Sequence, residues 1–319
     1  MKIVFLESHL VTLNNDINYS KLEALGDYSA YQLAIADDPM PYCEDVDIII
    51  AHKMHMTRER ISQLVPKLKY ICEAATGYNN IDIQAAKDYG VRVTNIADYA
   101  KYSVTQHIFA LTLAFATKLR EYDTAVKEGL WQKSNTFDLL LYPTFELYQK
   151  KIGIIGFGSI GREVARVAES FRMKVLAYDI VDISKSGYKN YSIDDILRES
   201  DIVVLCCPLT ESTRNLIDEK AFKKMKRSAI LINTARGGIV NENDLANALN
   251  SGLIAGAGFD VLLKEPPTEG NPLLDNEVKN LIVTSHSAWS TRESRQRLID
   301  WIADQIKAYI NGEELTYIV

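Results

Sequence analysis

The sequence has no paired C-x-x-C spacing among its four cysteines, Cys43, Cys72, Cys206 and Cys207, and four in 319 residues is far below the density of a disulfide scaffold. Reduced thiols are implied, and neither zinc nor any other metal is expected. No uninterrupted apolar run approaches the roughly 18 residues of a membrane span. The start, Met1-Lys2-Ile3-Val4-Phe5-Leu6, meets Glu7 too early for a secretory core, so a cytoplasmic protein is expected. Basic residues are not in excess. Lys plus Arg number 36 against 42 Asp plus Glu, a formal charge of −6 with no basic run, which argues against nucleic acid or a membrane as partner. Proline is scarce at eight residues, and there is neither a Gly/Ser linker nor a repeat at solenoid spacing. What is present, 47% hydrophobic and 24% charged residues, is the make-up of an ordinary globular chain with length for about two domains.

Short apolar runs at Lys2 to Leu6, Val46 to Ala51, Lys69 to Ala74 and Val91 to Thr94 alternate with stretches suited to helices, such as Thr57 to Leu64 and Ile81 to Asp88. That alternation predicts a parallel α/β layer. A second series, Lys151 to Ile155, Met173 to Tyr178, Asp201 to Cys206, Ser228 to Ile232, Ile254 to Phe259 and Leu281 to Thr284, predicts six strands of another sheet. Between them Val104, Ile108, Leu111 and Phe115 recur at helical spacing towards Leu119, which predicts one long amphipathic helix joining two domains. Leu298, Ile302, Ile306 and Tyr309 predict a final helix closed by Asn311-Gly312 and returning to the first domain.

Gly156-Phe157-Gly158-Ser159-Ile160-Gly161 directly follows a predicted strand and opens a helix running to about Ser170. In that context the first glycine serves a tight turn, the second admits a pyrophosphate to the backbone, and the third lets helix and strand pack closely. The helix N-terminus supplies amide donors to the anion. Asp179 ends the next strand, where a carboxylate accepts hydrogen bonds from the adenosine ribose and opposes a 2′-phosphate. No Arg or Lys follows before Lys185, so NAD is expected over NADP.

Further motifs run almost the length of the chain: Ala75-Thr76-Gly77-Tyr78-Asn79-Asn80-Ile81-Asp82, Ser103-Val104-Thr105-Gln106-His107, Asn233-Thr234-Ala235-Arg236-Gly237-Gly238, Gly258-Phe259-Asp260-Val261, Glu265-Pro266-Pro267 and Ser285-His286-Ser287-Ala288-Trp289. In this order they resemble the NAD-dependent D-2-hydroxyacid dehydrogenases. The Gly-Tyr-Asn-Asn segment and the run Arg292-Glu293-Ser294-Arg295-Gln296-Arg297 after the histidine are most similar to the glycerate dehydrogenase (hydroxypyruvate reductase) branch.

The resemblance implies catalysis by Arg236, Glu265 and His286. Reducing a 2-oxo acid requires a carboxylate to be bound, its neighbouring carbonyl polarised, hydride delivered to carbon and a proton to oxygen. A guanidinium, permanently charged and forked, suits the first two needs. An imidazole suits the proton step, and Glu265 on its other nitrogen would fix the tautomer and favour the protonated ring. Backbone amides of Thr76, Gly77 and Tyr78 would complete the carboxylate pocket. Thr213, Thr234, Ala235, Cys206, Cys207 and Pro208 would lie with Arg236, His286 and Ala288 on the cofactor side, and Asp260 would contact the nicotinamide carboxamide. His107 is expected to be structural or to lie at a subunit contact. Two departures from the family pattern are Ser285, where Pro often precedes the histidine, and the bulky Asp98-Tyr99-Ala100-Lys101-Tyr102.

The fold implied is α/β, with two doubly wound parallel-sheet domains: a discontinuous flavodoxin-like substrate domain of residues 1–98 and 290–319, and a Rossmann NAD-binding domain of residues 99–289. A cleft closing on hydroxypyruvate or another small 2-oxo acid is expected, as is a homodimer formed through the NAD-binding domain around the His107 helix and Leu139 to Leu141. Alternatives on the same fold are an NAD-sensing corepressor-like binding protein and dehydrogenases acting on glyoxylate, pyruvate or 3-phosphohydroxypyruvate.

Overall fold

The computed structural model describes residues 1–319 in two units, Met1–Ala100 with Trp289–Val319, and Lys101–Ala288. In chain order the first unit contributes β1 (Lys2–Phe5), α1 (Ser20–Glu23), β2 (Asp27–Ala30), β3 (Ile48–Ala51), α2 (Arg58–Leu64), β4 (Tyr70–Glu73), α3 (Ile83–Asp88) and β5 (Arg92–Asn95). The second follows with α4 (Lys101–Thr117), α5 (Leu119–Lys127), β6 (Lys151–Ile155), α6 (Ser159–Ser170), β7 (Lys174–Tyr178), α7 (Ile193–Glu199), β8 (Ile202–Leu205), α8 (Glu219–Lys224), β9 (Ile230–Asn233), α9 (Glu242–Asn250), β10 (Gly256–Phe259) and β11 (Leu281–Val283). The chain then returns to the first unit as α10 (Arg292–Ile310).

Both sheets are wholly parallel, ordered β2-β1-β3-β4-β5 and β11-β10-β9-β8-β6-β7. The central strands carry Ile, Val and Leu on both faces because helices cover both. Ile48–Ala51, Ile202–Leu205 and Ile230–Asn233 are buried at every position. In each sheet the order reverses beside the first strand, β1 or β6, so the crevice at the strand C-termini there is where an open α/β sheet takes ligands. The α/β class and the doubly wound arrangement of both sheets are as the sequence indicates.

Two expectations need correction. The first sheet has five strands rather than four: β2, Asp27-Tyr28-Ser29-Ala30, is a partly exposed edge with no apolar run to announce it. The helix after residue 100 is not amphipathic. Ser103, Thr105, Phe109 and Thr112 are buried as well as Val104, Ile108, Leu111 and Phe115, so burial runs round most of its circumference. It also stops at Thr117, because Lys118 adopts a left-handed conformation (φ 52°) before α5 begins. α4 lies against β10, where a methyl group on Gly256 would stand 2.7 Å from the Phe115 ring and one on Gly258 3.1 Å from Leu111 Cβ. Residues this small let a helix sit on a strand at such range.

The first unit is closed by residues 289–319. The Arg295 guanidinium forks onto Asp16 with two bonds of 2.7 Å and holds that carboxyl well below the usual range. Gln305 Oε1 accepts from the Thr94 hydroxyl at 2.6 Å and its Nε2 donates to the Asn95 carbonyl. Val93 exchanges backbone bonds with Ile318 and Val319, covering the β5 edge.

Two buried carboxyls stand at the strand C-termini of this unit. Glu7 accepts the His52 and Lys53 amides at 2.8 and 2.9 Å, fixing the turn after β3. Glu73, fully buried at the end of β4, accepts from Asn80 Nδ2 at 3.0 Å through one oxygen, while the other has no hydrogen-bond partner. Burial pushes its carboxyl well above the ordinary value of 4.5 and Glu7 adds to the effect, with the Asn80 bond and Lys53 opposing. The folded state therefore holds this proton more tightly than the unfolded chain. The stability it contributes is complete below about 4.5 and is lost as pH rises towards the folded-state value. In thermal melts across pH, wild type is expected to lose ground to Glu73→Gln as pH rises from 4.5 towards neutrality; a constant gap between them would contradict the assignment.

Candidate active site

The glycine loop follows β6 at the switch point of the second sheet. Gly156 adopts φ +97°, and a Cβ there would lie 2.5 Å from the Cys207 amide nitrogen, so only glycine fits. At Gly161 a Cβ would meet the Gly156 carbonyl oxygen at 2.3 Å, whereas at Gly158 it would meet nothing within 4 Å, leaving that face of the loop open. Gly158 is also the N-cap of the 12-residue α6 and no side chain caps that end, so the amides of Ser159, Ile160 and Gly161 begin the helix without a side-chain acceptor. Asp179 faces the loop and accepts the Phe157 amide at 2.7 Å. Asn190, which sequence reading missed, holds Asp179 from behind through both its amide and its carbonyl. This cradle fits a dinucleotide: an open glycine face, a helix N-terminus and a carboxylate at the end of the neighbouring strand.

Cys206, Cys207 and Pro208 follow β8, and Thr213 bonds back to the Pro208 carbonyl at 2.7 Å, closing that turn beside the cradle. Burial pushes both thiols up, Cys207 to about 11, so neither is a thiolate at neutral pH. Thr234 and Ala235 follow β9, where the fully buried Asn233 shapes the turn: its Oδ1 accepts the Ala235 amide at 3.1 Å and its Nδ2 donates to the Arg236 carbonyl at 2.9 Å. Arg236 is half-buried, with Nη1 on the Ala235 carbonyl at 2.7 Å.

Behind Arg236, a methyl group on Gly237 would come within 2.0 Å of the Leu262 carbonyl carbon, so this turn presses backbone to backbone on the loop that carries Glu265. Glu242, at the start of α9, pins the same loop by accepting the Leu263 amide and Asn271 Nδ2, both at 2.6 Å. Glu265 accepts the Leu262 amide at 2.8 Å through Oε1 and meets His286 Nδ1 at 2.6 Å through Oε2. A carboxylate on Nδ1 requires the proton there, which leaves Nε2 as the exchanging nitrogen. His286 itself sits at φ +53°, a left-handed conformation uncommon outside glycine, with its amide on the Asp260 carbonyl at 2.7 Å. The Asp260 carboxylate is 1% exposed and takes the Ser287 and Ala288 amides, both at 2.9 Å, so the Ala288 N–H is committed within the protein. His107 lies inside this unit with Nε2 3.0 Å from the Thr284 hydroxyl.

In the first unit, Thr76, Gly77 and Tyr78 follow β4. Thr76 Oγ1 donates to the Ile96 carbonyl and Asn80 ties the far end of the loop to Glu73 and to the Met54 carbonyl. None of the three loop amides donates within the protein.

The second unit thus holds a loop that fits a dinucleotide, a carboxylate-bound imidazole and a half-buried guanidinium, groups suited to moving a proton alongside a hydride. The pattern of the D-isomer specific 2-hydroxyacid dehydrogenase NAD-binding domain matches residues 109–288. A glycerate dehydrogenase of Methylorubrum extorquens is 39% identical over 98% of this chain and 97% of its own. A hydroxypyruvate reductase of Blautia hydrogenotrophica is 35% identical over 100% and 99%. Glyoxylate reductases match over less of the chain, one from Korarchaeum cryptofilum at 35% over 85% and 81%. Among solved structures, a D-lactate dehydrogenase of Aquifex aeolicus complexed with NAD and lactic acid superposes with a TM-score of 0.81 at 30% identity, covering 98% and 96%. The chain belongs to the D-isomer specific 2-hydroxyacid dehydrogenases, and it is an NAD-dependent oxidoreductase.

Asp179→Ala removes a charged acceptor from the cradle. NADH affinity in a fluorescence titration is expected to fall at least about tenfold, with a smaller change for NADPH. Equal losses for both cofactors would count against a ribose contact.

Proposed function

We propose that the enzyme interconverts hydroxypyruvate and D-glycerate with NADH, and that His286 is its proton donor and acceptor. The observation that carries this reading is the 2.6 Å contact from Glu265 to His286 Nδ1, with Glu265 itself anchored on the Leu262 amide. The glycine loop Gly156–Gly161, Asp179 and the turns at Cys206–Pro208, Thr213 and Thr234–Ala235 would hold the cofactor, which supplies hydride. Arg236 binds the substrate carboxylate and polarises the carbonyl with its two-pronged donor set. The loop amides of Thr76, Gly77 and Tyr78 supply further donors to the carboxylate. As hydride reaches the carbonyl carbon, the developing alkoxide takes the proton from His286 Nε2; oxidation reverses both transfers.

The choice of hydroxypyruvate over glyoxylate is supported by the 39% identity of the glycerate dehydrogenase relative and by the nearly complete coverage of that protein and of the hydroxypyruvate reductase, where glyoxylate reductases of 35–37% identity cover about 85% of the chain. Four free cysteines, three of them buried, support a reducing compartment such as the cytoplasm. A homodimer through the second unit is supported by exposed apolar side chains along 119–141, with Leu119 71%, Phe137 95% and Leu140 88% exposed.

NADH oxidation with hydroxypyruvate, glyoxylate, pyruvate and 3-phosphohydroxypyruvate tests the reading. Hydroxypyruvate should give the highest kcat/KM. His286→Ala should lower kcat by about 10²- to 10⁴-fold with NADH affinity kept, and Arg236→Ala should lower kcat/KM for the oxo acid far more than NADH affinity. Preference for another oxo acid would overturn the substrate, and tight NADH binding without turnover would favour a sensor. Scattering at micromolar concentration should give twice the 35.9 kDa chain mass, and a monomer mass would refute the dimer.

A further inference from the structure

Asp260 directly follows β10, and its bonds converge on a single stretch of backbone. Its carbonyl accepts the His286 amide, Oδ1 accepts the Ser287 amide, Oδ2 accepts the Ala288 amide, and Oδ1 also contacts the Thr284 hydroxyl at 2.5 Å. One carboxylate thus grips both sides of His286, the residue held at φ +53°. The resemblance assigns Asp260 to the nicotinamide carboxamide, yet its side chain is 1% exposed and already engaged by these donors.

The network extends to α4. Thr284 Oγ1 has one proton and two acceptors in reach, Asp260 Oδ1 at 2.5 Å and the Phe259 carbonyl at 3.4 Å, so the hydroxyl donates to the nearer Asp260 and accepts from its one nitrogen neighbour. That neighbour is His107 Nε2, 3.0 Å from Thr284 Oγ1 and 3.8 Å from Asp260 Oδ1. His107 is therefore a donor with its proton on Nε2, and the chain of bonds has one direction, from His107 through Thr284 to Asp260 and on to the His286 turn.

We propose that Asp260, Thr284 and His107 form a positioning relay for His286, with His107 as the anchor at its far end. The proposal rests on the reading of His286 as the proton-transfer group. Asp260 makes Thr284 the donor, and His107, donating to the Thr284 oxygen, holds that hydroxyl on the carboxylate, which stays centred over residues 284–288 and holds His286 on Glu265. His107 and Thr284 are positioning residues: they act through Asp260.

The test compares His107→Leu, His107→Gln, Thr284→Val and the double variant His107→Leu/Thr284→Val in steady-state kinetics and in hydrogen exchange of the peptide spanning 284–289, the latter without cofactor. Loss of one directed bond should lower kcat and raise exchange of that peptide by about tenfold, while the KM for NADH stays within about twofold. Gln, whose amide can donate from a comparable position, should restore most of both. The double variant should be no worse than Thr284→Val, because both break one chain. Unchanged kcat and exchange in His107→Leu, multiplying losses in the double variant, or a loss confined to the KM for NADH would each overturn the relay. The exchange arm separates this from the reaction itself. Fast exchange in the variants of a protein that reduces no oxo acid would refute the function and keep the relay; unaltered exchange in an active enzyme would do the reverse.

Discussion

The backbone of Gly237 rests on the backbone of Leu262 with no room for a methyl group, and the second unit's chemistry is arranged around that contact. It brings the turn carrying Arg236 against the loop carrying Glu265, so two residues 29 positions apart need no side chain to span the gap between their elements. Asn233 shapes one partner from within and Glu242 pins the other from α9. Close backbone packing is stiff because it has no rotamers to exchange, and it gives the Arg236 turn a fixed base.

Two of the buried carboxyls at strand ends, Asp260 and Glu73, show how one functional group serves opposite ends. Asp260 is surrounded by donors and spends them on backbone, so it acts as a rivet through a turn that would otherwise relax from a left-handed conformation. Glu73 has one donor and one empty oxygen, and its environment favours the acid. Both sit at the C-terminal ends of parallel strands, where the backbone leaves the ladder and its polar groups must find partners elsewhere.

Much of this was legible in the sequence because the strands are buried on both faces and read as unbroken Ile/Val/Leu runs. β2 was not: an edge strand needs only one partner and little apolar surface, and Asp27-Tyr28-Ser29-Ala30 offers no such run. α4 misled in a different way. Its apolar spacing is real, but Ser103, Thr105 and Thr112 are buried too, with Thr112 turning its hydroxyl onto the Ile108 carbonyl, so polarity gave no sign of a second buried face. In the site, the glycine fingerprint carries its own physical logic, whereas the order Arg236, Glu265, His286 gained meaning only from resemblance. His107 and Thr284 lie 177 residues apart, and no local pattern joins them. Asn190 and Glu242 escaped notice, and Asn233 was read only as part of a motif, because each acts largely on backbone groups, which every residue has and no sequence distinguishes.

The first unit is built from two stretches of chain, and this has a consequence for its birth on the ribosome. Asp16 meets Arg295 across 279 positions, and the β5 edge is paired by Ile318 and Val319. Residues 1–100 therefore emerge with a sheet whose edge is bare and whose arginine partner does not yet exist, and they must wait while the whole of residues 101–288 is made. At about 5–20 residues per second that delay is roughly 10 to 40 s. During it the second unit, continuous in sequence, can fold on its own contacts, while the first presents an open strand to any neighbouring nascent chain. The order of synthesis thus favours the cofactor-binding half as the first to mature.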